Sequence, residues 1–207
     1  MLKRYSIKEI FGPTIQGEGS WSGSAVLFLR FAGCNKWSGL EKDKPKSICS
    51  FCDTDFRNGT LETKEEIINR LKALKGNVKT LVISGGEPLL QLDKDLCDHL
   101  IKNGFFLQIE TNGSLKLGEM SDYIEHVSVS PKQSAAKTLI ERIDDLKFLF
   151  PFLDGINPEE FTKYKQRYLQ PIKDDNYNEN VSGAIDYIYK NPETKLSLQL
   201  HKIIGVL

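Results

Sequence analysis

Short apolar runs alternate with polar motifs rich in Gly and Pro along most of the chain. Ala25 to Phe31 (AVLFLRF) is nearly continuous in apolar residues. Lys79 to Ser84 (KTLVIS), Phe105 to Glu110 (FFLQIE), His126 to Ser130 (HVSVS), Leu146 to Phe150 (LKFLF) and Arg167 to Leu169 follow. Runs of this length between turn residues read as strands, and the unbroken one at 25–31 as a strand buried on both faces. Residues 5–24 read as a short strand and a Gly/Ser-rich loop, and Leu196 to Leu200 as a last strand. Helical spacing appears between them. Thr63 to Leu74 carries a capping-box pattern at Thr63 and Glu66, with Ile67, Leu71 and Leu74 on one face and Gly76 to end it. Leu89 to Lys102 repeats Leu92, Leu96 and Leu100, and Asn178 to Tyr189 reads as a further helix. Alternating strand and helix predicts a parallel α/β sheet.

The polar motifs follow the strands directly: a cysteine loop after 25–31, SGGEP after 79–84, ETNG, VSPK and LQP. In parallel α/β folds ligands bind at the carboxyl ends of strands, so these motifs are expected on one rim. The length of 207 residues suits one domain spanning 1–207. Lys and Arg together equal Asp and Glu at 28 each, which argues against a general nucleic-acid or membrane-surface partner. No apolar run is long enough to span a bilayer, and the start MLKRYSIKEIFGP lacks a signal-peptide core. A cytoplasmic location, with reduced thiols, is the expectation.

Cys34, Cys49 and Cys52 lie within one stretch, CNKWSGLEKDKPKSICSFC. Three thiolates without a fourth nearby cysteine or histidine suit a metal centre with one open position, and iron–sulfur clusters are normally held by thiolates. A zinc site completed by Cys97 or His99 remains open on these residues, as do three unrelated thiols. Cys97 itself sits among Leu96 and Leu100 and reads as a buried core thiol. The GGEP motif lets a ligand approach the backbone, though a plain turn also favours those residues. Arg30 is a charge inside a strand read as buried; it needs a partner, either a carboxylate ligand or an internal ion pair such as Glu110.

A three-cysteine loop after the first long strand together with GGEP resembles the radical S-adenosylmethionine (radical SAM) superfamily. The cysteine spacing is longer than the superfamily's commonest pattern and points to a subgroup. Over nearly the whole chain the sequence resembles the 7-carboxy-7-deazaguanine synthase family. The resemblance is carried by TIQGEGSWSG (14–23), LRFAGCN (29–35), CDTDF (52–56), SGGEPLLQ (84–91), ETNG (110–113), SPK (130–132) and LQP (169–171).

The resemblance implies an incomplete (β/α) barrel, an abridged radical SAM core with parallel strands. It implies a 4Fe–4S cluster on Cys34, Cys49 and Cys52, S-adenosylmethionine on its open iron, and Mg²⁺ on Thr54. The implied activity converts 6-carboxy-5,6,7,8-tetrahydropterin to 7-carboxy-7-deazaguanine with loss of ammonia, after a 5′-deoxyadenosyl radical takes hydrogen from C6. Arg30 and Glu18 are the implied catalytic residues. Ile15, Gln16, Gly17, Ser84, His201 and Leu207 join them around the pterin. Phe51, Cys52, Asp53, Gly86, Ser130, Pro131, Lys132, Gln170, Pro171, Ile172 and Lys173 are the implied S-adenosylmethionine contacts. A reductase or flavodoxin-type electron donor and a homodimer complete the expectation, with no nucleic acid and no membrane. Two other readings stay open at this point: a glycyl-radical-enzyme activase and a non-catalytic zinc-binding module.

Overall fold

The computed structural model describes residues 2–206. Among the described residues nine strands form one sheet: β1 (Tyr5–Ile15), β2 (Ala25–Phe31), β3 (Thr60–Glu62), β4 (Thr80–Gly85), β5 (Phe106–Thr111), β6 (Ile124–Val129), β7 (Asp145–Phe150), β8 (Gln166–Pro171) and β9 (Thr194–Leu196). Their order is β3-β1-β2-β4-β5-β6-β7-β8-β9. From β2 onward every pairing is parallel. β1 pairs antiparallel with both β2 and β3. The α-helices among the described residues are α1 (Lys64–Leu74), α2 (Lys94–Lys102), α3 (Tyr177–Lys190) and α4 (Leu200–Ile204). Only 3₁₀ turns and loops join β5 to β6, β6 to β7 and β7 to β8. The result is an incomplete (β/α) barrel, a mostly parallel sheet with an antiparallel edge.

The strands alternate with period two, as pleated strands must. One face of the sheet carries Leu27, Leu29, Phe31, Leu81, Ile83, Leu107, Ile109, Leu146 and Phe148, all buried in the core with Ile67 and Leu71 of α1 and Leu96 and Leu100 of α2. The other face carries Arg30, Ser84, Glu110, Ser128, Lys147 and Gln170, which line a cavity. The expectation that 25–31 is buried on both faces is therefore corrected. Its second face carries fully buried Val26, and then Phe28 and Arg30 at the cavity, so toward its carboxyl end it lines a lumen instead of a second core layer.

Four local expectations also change. The first strand runs to Ile15 because its register with β2 continues from Ile7–Phe31 to Ile15–Ala25. β3 was not expected; it adds to the β1 edge at Tyr5–Glu62. The expected helix 89–102 begins only at Lys94. Asp93 caps it by accepting the Leu96 N–H at 2.9 Å, and a 3₁₀ turn occupies Pro88–Leu90. The last strand ends at Leu196, and residues 200–204 are helical instead of extended. The α1 start is as the sequence indicates: Thr63 accepts the Glu66 N–H at 3.2 Å while Glu66 accepts the Thr63 N–H at 2.7 Å.

Candidate active site

Because β2 and β4 to β9 run in one direction, their carboxyl ends meet at one rim. β1 runs the other way, so its end at Ile15 faces Ala25, the beginning of β2. The IQGEG loop thus enters the lumen from the opposite end and forms a floor. The C-terminal segment lies over this loop. Leu200 N–H donates to the Gly17 carbonyl at 3.0 Å, and Gly19 N–H donates to Ser197 Oγ at 3.1 Å. A Cβ at Gly17 would stand 2.7 Å from the His201 backbone nitrogen, so only glycine allows this seating.

Between rim and floor lies a cavity of about 370 Å³. Its rim includes Cys34, Cys49 and Cys52 with Phe51, Asp53, Thr54, Gly86, Ser130, Lys132, Ile172 and Lys173. Its lower wall includes Ile15, Gln16, Glu18, Arg30, Ser84, Glu110, Lys147, Gln170 and His201. Most residues singled out in the sequence thus surround one space. Gly17, Pro131 and Pro171 do not line it; Gly17 packs beneath His201, and Pro171 is paired with Phe150 in the sheet. Leu207 lies outside the described residues. Cys97 is fully buried in the core on α2, as expected, with its thiol pushed up to about 12 by burial.

The rim is held by cross-links between the motifs. Glu87 of GGEP is fully buried, and its carboxylate accepts Thr111 Oγ1–H at 2.8 Å, Asn112 N–H at 2.8 Å and Leu89 N–H at 3.1 Å. Asn112 Nδ2 donates to Asn35 Oδ1 at 3.0 Å, and Asn35 Nδ2 donates to Ser114 Oγ at 2.9 Å. Glu87 N–H donates to the Gly33 carbonyl at 2.9 Å. The residues flanking Cys34 are thereby tied to the loops after β4 and β5. Burial drives the Cys49 thiol up to about 11, against the nearby charge of Lys132, and raises Cys52 as well. Burial lowers Lys132 to about 8, and its ammonium donates to Ser130 Oγ at 2.6 Å and lies over the Phe51 ring.

The lower wall carries charges. Arg30 Nε is 2.8 Å from Glu9 Oε1, yet among the described residues no acceptor lies in line with its N–H, and the guanidinium lies over the Phe11 ring. Its partner is therefore Glu9 rather than Glu110. Glu110 accepts Gln16 Nε2–H at 3.1 Å. Glu18 forms a salt bridge with Lys147 and accepts Gln170 Nε2–H at 3.1 Å and Gln199 Nε2–H at 3.0 Å. Burial alone would raise the Glu18 carboxyl; the Lys147 charge and these hydrogen bonds overcome it and hold the group ionised. Gln170, expected at the S-adenosylmethionine end, has its amide turned to Glu18. Lys147 and Gln199 were missed in the sequence. The lysine within LKFLF carried the same signal as the arginine within LFLRF, whereas Gln199 was hidden by the extended reading of 196–200.

The three thiols border the cavity without converging on one point, and among the described residues no three His, Cys, Asp or Glu side chains form a single-ion site. The donor set fits a cluster with S-adenosylmethionine. Three thiols open on one space, and the adjacent GGE backbone comes so close that a Cβ at Gly86 would stand 2.7 Å from Cys34 Cβ. Metal binding replaces thiol protons, so the raised Cys49 and Cys52 are not an obstacle but a pH dependence.

The radical SAM superfamily profile matches residues 46–191. A 7-carboxy-7-deazaguanine synthase from Bradyrhizobium diazoefficiens is 40% identical over 98% of this chain and 99% of that protein. Those of Bordetella pertussis and Caulobacter vibrioides are 39% and 38% identical, each over 98% of this chain and 99% of the relative. The chain belongs to the 7-carboxy-7-deazaguanine synthase family. The crystal structure of QueE from Escherichia coli has the same fold, with a TM-score of 0.65 at 24% identity over 96% of this chain and 95% of that one. As a family member the chain is a radical SAM lyase whose cofactors are a 4Fe–4S cluster and S-adenosylmethionine. The superfamily match begins ahead of Cys49 and leaves Cys34 outside, as the long cysteine spacing would produce. Among the described residues no helix is long and apolar enough to cross a membrane.

Proposed function

We propose that this chain converts 6-carboxy-5,6,7,8-tetrahydropterin to 7-carboxy-7-deazaguanine and ammonia, in 7-deazapurine and queuosine biosynthesis. The observation that carries the reading is the single cavity joining the three cysteines at the rim to a charged, hydrogen-bonding lower wall. Cys34, Cys49 and Cys52 would hold the cluster. Phe51, Asp53, Gly86, Ser130, Lys132, Ile172 and Lys173 would surround S-adenosylmethionine, whereas Pro131 and Pro171 would act from behind the lining and Gln170 from the Glu18 side. When bound, this pair supplies a 5′-deoxyadenosyl radical as the hydrogen-abstracting species.

The protein's own part is binding, orientation and exclusion of water. Arg30 offers its fork to the substrate carboxylate; its cavity-facing position and unaligned Nε support that role. Gln16 and Glu18 face the amide and amino edge of the pterin. Gln16 uses one amide hydrogen on Glu110 and accepts Glu18 N–H at 3.2 Å, which leaves it one donor and one acceptor position. Ser84 and Ile15 close the wall. His201, lowered by burial, would meet the ring as a neutral imidazole. Thr54 is the proposed protein ligand of Mg²⁺. Residues 1–207 would act as one radical SAM unit, as a cytoplasmic homodimer reduced by a reductase or flavodoxin-type donor.

The test is anaerobic reconstitution followed by product analysis with carboxytetrahydropterin, S-adenosylmethionine, dithionite and Mg²⁺. The expected product is 7-carboxy-7-deazaguanine with stoichiometric ammonia. Full cluster content with no turnover of the carboxypterin would overturn the reading.

A further inference from the structure

Lys147 stands at the third position of β7, between Asp145 and Leu149 on the lumen face, and its side chain is buried in the cavity wall. A buried lysine needs a counter-charge, and Glu18 on the floor loop supplies it. An ion pair serving stability alone has no need of this place, since apolar residues of similar volume stabilise as well or better. The pair is instead set in the binding wall, and it governs what that wall can accept.

A carboxylate has about four lone-pair positions. On Glu18, Gln170 and Gln199 take two of them at Oε1, and Lys147 takes one at Oε2. One acceptor position is left. We propose that Lys147 is a positioning residue for substrate recognition: it keeps Glu18 a carboxylate with that one acceptor in the cavity, so the site takes a heterocycle edge bearing N–H donors and rejects one bearing an acceptor there. The proposal rests on the pterin reading above. Without Lys147, the cations that still act on Glu18 are Lys132 beyond β6 and His201 on α4, and the Gln199 hydrogen bond remains, while Glu110 on β5 and Asp145 on β7 are the acidic groups around the Lys147 position. None of these forms an ion pair with Glu18. Burial then favours the protonated carboxyl, which donates where the carboxylate accepted.

The experiment compares wild type, Lys147→Met and the double variant Glu18→Gln/Lys147→Met, reconstituted with cluster and S-adenosylmethionine but without reductant. Met keeps the unbranched shape. Infrared spectra across pH read the protonation state of Glu18 without substrate. Lys147→Met is expected to show a carboxylic-acid carbonyl band near neutral pH that wild type and the double variant lack. Carboxytetrahydropterin should bind at least about tenfold more weakly to Lys147→Met, a loss that grows as pH falls, while S-adenosylmethionine affinity and iron content hold. The preference for the 2-amino ring over its 2-oxo (lumazine) counterpart should shrink by a similar factor. In the Glu18→Gln background, Lys147→Met should add little.

No carboxylic-acid band in Lys147→Met, or an equal Lys147→Met effect in the Glu18→Gln background, would overturn the proposal. If Lys147→Met does not fold, Lys147→Gln replaces it, with the same infrared band as the deciding readout. Failure of wild type to bind the carboxypterin would instead overturn the substrate reading, and the infrared comparison would still decide the role of Lys147.

Discussion

Gly86→Ala measures how closely the GGE backbone and the cysteine loop depend on each other. A Cβ at Gly86 would lie 2.6 Å from the Gly33 carbonyl carbon and 2.7 Å from Cys34 Cβ. Carbon atoms pack at about 3.5–4.0 Å, so the loop must retreat by roughly 1 Å. The obstacle is backbone, which cannot rotate out of the way. Overpacking of this kind costs about 1–3 kcal/mol. The retreat also stretches the Glu87 N–H to Gly33 carbonyl bond, now 2.9 Å, for about 1 kcal/mol more. The expected loss is therefore about 2–4 kcal/mol in the same loop that positions Cys34. The assay pairs anaerobic denaturation with iron content and S-adenosylmethionine binding after reconstitution. Gly23→Ala is the control: its φ of 91° carries backbone strain, but a Cβ there meets open space. Gly86→Ala should lose iron and S-adenosylmethionine affinity as well as stability, whereas Gly23→Ala should lose only stability. Full iron content and unchanged S-adenosylmethionine affinity in Gly86→Ala would refute the reasoning.

Cys34→Ala, Cys49→Ala and Cys52→Ala should each abolish the intact cluster by absorbance and iron analysis, while Cys97→Ala, in the core of α2, keeps the cluster and costs about 1 kcal/mol of stability. Arg30→Lys retains charge but not the fork, so the Kd for carboxypterin should rise at least about tenfold with S-adenosylmethionine affinity unchanged; an effect confined to S-adenosylmethionine would assign Arg30 a different partner. Thr54→Ala should weaken Mg²⁺ stimulation of turnover, and an unchanged Mg²⁺ titration removes Thr54 from the metal site.

The rim was legible because it depends on local order. Each motif follows its strand, and parallel strands carry whatever follows them to one end. That argument needs no knowledge of which strands are neighbours, and it placed Cys34, Gly86, Ser130 and Lys132 around one cavity. The helix start at Thr63 was legible for the same reason, since a capping box is complete within one turn. The late start of α2 was not. Leu92 continues the leucine spacing, but Asp93 satisfies the Leu96 N–H and its backbone is extended, so the helix cannot extend back through it.

The floor of the site was hidden because it is made by direction rather than by order. Nothing local marks β1 as antiparallel, and only that reversal sends IQGEG into the lumen from below, against β7, β8 and the C-terminal segment. Once there, Glu18 determines the environment of Lys147, and Lys147 that of Glu18, across more than half the chain. A charged residue in an apolar strand is therefore a readable demand for a partner, but its sequence does not say which strand or loop supplies that partner. Arg30 shows this as well as Lys147 does. The ion pair weighed for it was Glu110 on β5, yet the contact is with Glu9 on the antiparallel strand β1, in register with Arg30. That choice has a chemical consequence. Glu9 is on the same face of the sheet as Arg30, as cross-strand partners are, but outside the cavity lining, so it neutralises Arg30 from the β1 side and leaves the rest of the guanidinium to a carboxylate ligand. Pairing with Glu110 would have filled the place the substrate carboxylate is proposed to take.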